Sequence, residues 1–89
     1  MTILETILEV FEEEKFEAVP GFDEAVIGVD DKSMRLIYSV TKCYKVLSKD
    51  MTLEDAKQYF DFNIYGAYLG EKMPIFCWDT FITFDDTDA

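Results

Sequence analysis

Residues 24–39 read EAVIGVDDKSMRLIYS. Two apolar runs, 24–30 and 34–39, flank the polar triplet Asp31-Lys32-Ser33. Val, Ile and Tyr fit a pleated, half-buried surface, and the triplet has hairpin length. The stretch therefore predicts two strands joined by a tight turn. Gly28, in the middle of the first run, predicts a bulge or a close backbone approach.

Downstream of the hairpin the period changes from two to helical. Ser39 is a candidate N-cap for a helix over 40–49, with Val40, Cys43, Tyr44 and Leu47 on its apolar face. Lys42, Lys45 and Lys49 form a basic stripe opposite, and the last two suit the negative end of the helix dipole. After Asp50-Met51, Thr52 caps a third helix, with Asp55 at the capping-box position. Leu53, Ala56, Tyr59, Phe60 and Ile64 keep its spacing, and Gly66 or Gly70 is expected to end it in a left-handed cap. Pro74 then opens a strand over 74–78, and TFITF (80–84) alternates as a further strand.

Upstream, residues 2–15 predict a helix. Thr2 and Glu5 match a capping box, and Ile3, Leu4, Ile7, Leu8 and Phe11 share one face. Val19-Pro20-Gly21 breaks the chain before the hairpin. The order α-β-β-α-α-β, with a possible last β, predicts a single α+β domain over 1–84 and a frayed acidic tail over 85–89. The expected sheet is antiparallel, of three or four strands, with helices packed on one face.

The chain has 89 residues and a net charge of −11, with a pI near 4.1. That size suits one domain, and an aromatic content of 16% supplies large buried area to a short chain. The charge argues against direct binding to nucleic acid or to an anionic membrane, and it favours a partner with a basic surface. Residues 1–31 hold ten acids and one base, whereas 32–57 hold six bases and three acids. The plain expectation is that the middle segment lies beside the first and neutralises it. No stretch reaches the ~20 apolar residues of a membrane-spanning helix, and the N-terminus lacks the basic flank of a signal peptide.

Candidate chemistry is sparse. Without histidine, a Ser or Cys nucleophile lacks its usual base, and Cys43 and Cys77 are too few for a structural zinc site. They are expected as free thiols, with a single bridge as the alternative. Asp30-Asp31 and Asp85-Asp86-x-Asp88 offer only weak oxygen ligands, in no EF-hand pattern. The expectation is a non-enzyme without metal or cofactor. Residues 62–76, FNIYGAYLGEKMPIF, carry no phosphate-binding glycine motif. The reading that fits them best is a helix end turning into a strand. The functional alternative is a polar ligand pocket of Asn63, Tyr65 and Tyr68 around the Gly66–Gly70 loop.

The sharper signal is acidic. Glu5, Glu9, Glu12, Glu13 and Glu14 crowd the first helix away from its apolar face. Carboxylates on successive helical turns lie about 5–6 Å apart, a spacing that imitates the charge density of duplex phosphates. These five are the candidate partner-binding residues.

Five blocks of the chain also carry a resemblance. Phe22–Gly28 (FDEAVIG), Leu36–Ser39 (LIYS), Met51–Ala56 (MTLEDA), Tyr59–Glu71 (YFDFNIYGAYLGE) and Pro74–Phe76 (PIF) are similar to a family of small proteins encoded by bacteriophages and prophages. Met73 stands where that pattern usually has Thr. The likeness spans about residues 22–76 and leaves out the first helix and the tail. It implies a phage accessory protein in the host cytoplasm that binds a host or phage protein, inhibition of a defence or nucleic-acid enzyme being one outcome. The alternative is a homo-oligomer or minor assembly protein, with Ile3, Ile7, Leu8 and Phe11 at a subunit interface and the acids on a neighbour's Lys42, Lys45 and Lys49.

Overall fold

The hairpin forms as strands β1 (Val26–Asp30) and β2 (Arg35–Ser39), paired antiparallel, in a computed structural model that describes residues 2–67, 70 and 72–81. The register shifts between Val26 and Gly28, so the strand bulges where the glycine predicts it. The loop is one residue longer than the polar triplet. Met34 closes it in the left-handed region, at φ 55°, and its N–H donates to the Asp30 carbonyl at 2.7 Å. Side chains replace the usual turn glycine. Asp30 accepts from Ser33 Oγ at 2.7 Å and from the Lys32 N–H at 3.3 Å, bonds that hold its carboxyl below the ordinary range. Arg35 Nε donates to Ser33 Oγ at 3.0 Å.

Both downstream caps form. Ser39 Oγ accepts from the Lys42 N–H at 3.1 Å to open α2 (Val40–Leu47). Thr52 Oγ1 accepts from the Asp55 N–H at 3.1 Å to open α3 (Leu53–Tyr59). Past Tyr59 the helix widens into a π-turn over Phe60–Ile64 and tightens into a 3-10 turn over Tyr65–Ala67. Gly66 lies inside that turn and is no left-handed cap; of these two glycines it is Gly70 that has positive φ, 122°. Gly66 is there for space, since a Cβ would stand 3.1 Å from the Asp61 carbonyl oxygen.

The chain then enters β3 (Ile75–Cys77), parallel to β2, with Ile37 opposite Ile75 and Ser39 opposite Cys77. The sheet order is β1-β2-β3, so the sheet is mixed and not antiparallel throughout. The reason is the connection: α2 and α3 carry the chain back to the start of β2, the kind of long crossover that parallel pairing requires. Thr80 and Phe81 form a turn, and the rest of the strand expected over 80–84 lies outside the described residues, as does the acidic tail.

At the other end, α1 spans Ile3–Val10 and stops five residues before the expected end at residue 15. Its capping box is complete, with Glu5 N–H to Thr2 Oγ1 at 3.2 Å and Thr2 N–H to Glu5 Oε1 at 3.0 Å. Phe11 leaves helical torsion, and its ring meets Phe16 edge-on at 6.4 Å. Two effects stop the helix there. Three further glutamates would sit at the negative end of its dipole, and the Phe11–Phe16 pair packs the chain against the core.

One face of the sheet carries that core. Leu36 and Tyr38 of β2 are buried, whereas Ile37 between them is partly exposed. Leu4 and Ile7 of α1, Val40, Cys43 and Leu47 of α2, and Ala56 of α3 join them. Phe60, fully buried, is the hub of the aromatic cluster. It meets Tyr44, Phe76 and Trp78 edge-on at 5.6, 5.4 and 5.9 Å and stacks on Tyr65 at 6.2 Å. Tyr38 ties the far loop down: its hydroxyl oxygen accepts from the buried Val19 N–H at 2.8 Å.

Candidate functional site

All five candidate glutamates are exposed. Glu5 and Glu9 stand on α1, one helical turn apart. Glu12, Glu13 and Glu14 follow it, in the bend that ends the helix, and with Val10 and Phe11 they rim a shallow hollow of about 330 Å³. The acidic feature is thus a helical pair continued by a non-helical knuckle, which corrects the expected single helical row. Phosphate-like periodicity holds for the pair alone.

Among the described residues none of the five makes an ion pair with the chain's own lysines. Among the described residues the ion pair present is Lys49–Glu24, at 3.6 Å with both side chains well exposed. Such a pair contributes little in water. The expected neutralisation of the first segment by the middle one is therefore realised at Glu24 and not at the candidate glutamates.

The second candidate set does not assemble. Asn63 is exposed beside Phe62, Tyr59 and Met51, on a shallow cleft of about 420 Å³. Tyr65 turns away from that cleft. Its ring joins the aromatic cluster, 5.8 Å from both Phe76 and Trp78. Tyr68 lies outside the described residues.

A third region, which sequence reasoning passed over, is a cleft of about 580 Å³ between α2, α3 and the segment after β3. Lys45 of α2, Lys49 in the turn that follows it, two residues past the end of the helix expected to reach 49, and Lys57 of α3 line it, over a largely apolar wall that includes Leu53 and Tyr44. The Tyr44 phenol is pushed up from its ordinary value, first by burial and then by the Asp61 charge. Lys45 and Lys49 were visible as a stripe at i, i+4. Lys57, on the next helix, gave no cue that it faced the same space.

Beside this cleft, Asp79 reaches back from the end of β3 to the start of α2. It accepts from Ser39 Oγ at 2.6 Å and from the Thr41 N–H at 3.0 Å. Burial raises its carboxyl, but these hydrogen bonds outweigh that and hold it below the ordinary range. The Thr41 hydroxyl is enclosed next to the same carboxylate without a well-formed bond of its own. The arrangement is a structural clasp: a side-chain cap reinforced from across the fold.

Both cysteines are free, Cys43 buried and Cys77 partly exposed. Burial, with a lesser effect from the Asp79 charge, pushes the Cys43 thiol up to about 12. A thiol so raised is inert as a nucleophile at neutral pH. Among the described residues no three His, Cys, Asp or Glu side chains gather as a metal site, and no helix is long and apolar enough to cross a membrane. Of the weak oxygen ligands, Asp30 is engaged in its own turn, and Asp85, Asp86 and Asp88 lie outside the described residues. No protein-family model, curated protein or solved structure matches this chain.

Proposed function

We propose that this protein is a non-enzymatic binding module of the phage accessory type, which docks its acidic knuckle on a basic surface of a host or phage protein. The observation that carries this reading is that Glu5, Glu9, Glu12, Glu13 and Glu14 are exposed and unpaired with the chain's own lysines, in a protein of net charge −11. Carboxylates already neutralised at home would offer a partner little. Here the attraction is unspent, and it extends along helix and bend together. A groove built for nucleic acid, lined with Lys and Arg, is the complementary surface. Charge of this kind speeds encounter and selects partners more than it adds raw affinity.

The test is affinity capture from host lysate at low and at physiological salt, comparing the natural chain with a variant carrying Glu9, Glu12, Glu13 and Glu14→Gln. The expected result is a partner held by the natural chain at low salt, weakened as salt rises, displaced by added duplex DNA, and lost with the variant. A complex indifferent to both salt and the substitutions would refute the reading.

The same exposure supports one alternative, a homo-oligomer in which these acids meet Lys42, Lys45 and Lys49 of a neighbouring copy. Ile7 is buried in the chain's own core, so an interface through α1 would rest on Ile3 and Leu8 instead. Light scattering at two concentrations separates the readings, since a strict monomer removes this one.

A further inference from the structure

We propose that the cleft between α2 and α3 binds a small soluble amphipathic anion, one with an apolar body and a single carboxylate or phosphate head. At about 580 Å³ the cleft falls within the usual range of ligand sites, mostly apolar with a few convergent polar groups. Its wall supplies each part of that recognition. Leu53, half-exposed, and the Tyr44 ring offer the apolar floor; Lys45, Lys49 and Lys57 offer the charge. Among the described residues no acid lines it, although acids outnumber bases more than two to one in the chain as a whole.

That contrast is the core of the inference. In a strongly acidic protein, scattered lysines gain by pairing with the abundant carboxylates. Lys45 and Lys57 make no ion pair among the described residues, and Lys49 makes only the loose contact with Glu24. Three ammonium groups round one apolar hollow repel each other, and a bound anion relieves that repulsion. Inorganic anions alone would leave the floor wet, and a neutral apolar molecule would leave the lysines unpaired. The ligand that satisfies both has a tail and a head.

The probe is dodecanoate, kept below its micelle-forming concentration and followed by two-dimensional amide NMR of the full chain. Dodecanol, inorganic phosphate and phosphatidylglycerol vesicles serve as comparisons. The expected result is saturable binding that shifts the amides of 41–57. The double variant K45E/K57E should bind at least about tenfold more weakly, as reversing two nearby charges implies, whereas K45R/K57R should bind as the natural chain does. Lys45 and Lys57 are exposed, so an unchanged thermal midpoint will show that both variants fold. Four results would each overturn the proposal: no saturable shift with dodecanoate, equal binding of dodecanol, equal binding of inorganic phosphate, or unaltered affinity in K45E/K57E. Binding to vesicles without binding to monomeric dodecanoate would overturn it too. The acidic knuckle takes no part in these measurements, so their outcome is independent of the partner-binding reading.

Discussion

Tyr38 does two jobs from one buried position. Its ring fills the core beside Phe76, at 5.9 Å, and its hydroxyl oxygen accepts from the Val19 N–H. Tyr38→Phe keeps the ring and strands that N–H in a dry site, which is expected to cost about 1–3 kcal/mol. Urea denaturation checks this, with the midpoint falling and the slope unchanged. Nothing in the spacing of MRLIYS announces the bond, because its donor lies 19 positions away on a loop. Cys43 shows the opposite case. Its place on the apolar face of the second helix was readable from the sequence, and burial then sets its chemistry. A thiol reagent at mildly alkaline pH is expected to modify Cys77 alone in the folded protein and both cysteines in denaturant. The raised Cys43 thiol also sets an alkaline limit. The folded state keeps that proton up to about 12, whereas an unfolded chain releases it near the ordinary value of 9.0, so stability falls as pH rises between them. Met34 could not be foreseen, since a left-handed torsion without glycine or asparagine leaves no mark in the sequence.

Elements whose signals are local were legible: the hairpin, its bulge at Gly28, and the caps at Thr2, Ser39 and Thr52. Each depends on residues within a few positions of one another. The end of α1 was misplaced because no glycine or proline marks it; dipole repulsion and the Phe11–Phe16 contact decide it together. The direction of β3 was misread because pairing partners are chosen by the crossover and not by the strand's own residues. The clasp at the start of α2 was hidden for a similar reason, as Asp79 lies far along the chain from Ser39 and Thr41. Asp79→Asn should lower stability by about 1 kcal/mol at neutral pH, the usual loss for a weakened cap. The sign with pH follows from the lowered carboxyl. Its contribution is present above the ordinary value of 3.8 and fades as pH drops through the folded-state value. Unfolding curves at neutral and strongly acid pH should therefore differ between the natural chain and the variant at neutrality and converge in acid.

At the scale of the whole molecule, charge works against compactness and in favour of encounter. A chain of net charge −11 with one loose ion pair among its described residues carries self-repulsion that salt can screen. Moderate sodium chloride is expected to raise the thermal midpoint by a few degrees, as about 1 kcal/mol does in a domain of this size. The same salt should weaken any complex made through the knuckle, and following fold and complex in one titration separates the two effects. Much of the candidate site was legible at this scale, because exposed acids on a short acidic chain are visible in composition alone. The lysine-lined cleft was not, since Lys57 reaches it only after α3 folds back on α2. The parallel placement of β3 bears on how the chain matures at the ribosome. Until Ile75–Cys77 have been synthesised and have left the exit tunnel, β2 has a vacant edge and Phe60 lacks the rings of Phe76 and Trp78. A nascent chain halted after α3 thus holds the hairpin and α1, α2 and α3 without the third strand, and closure of the core waits for β3 to emerge.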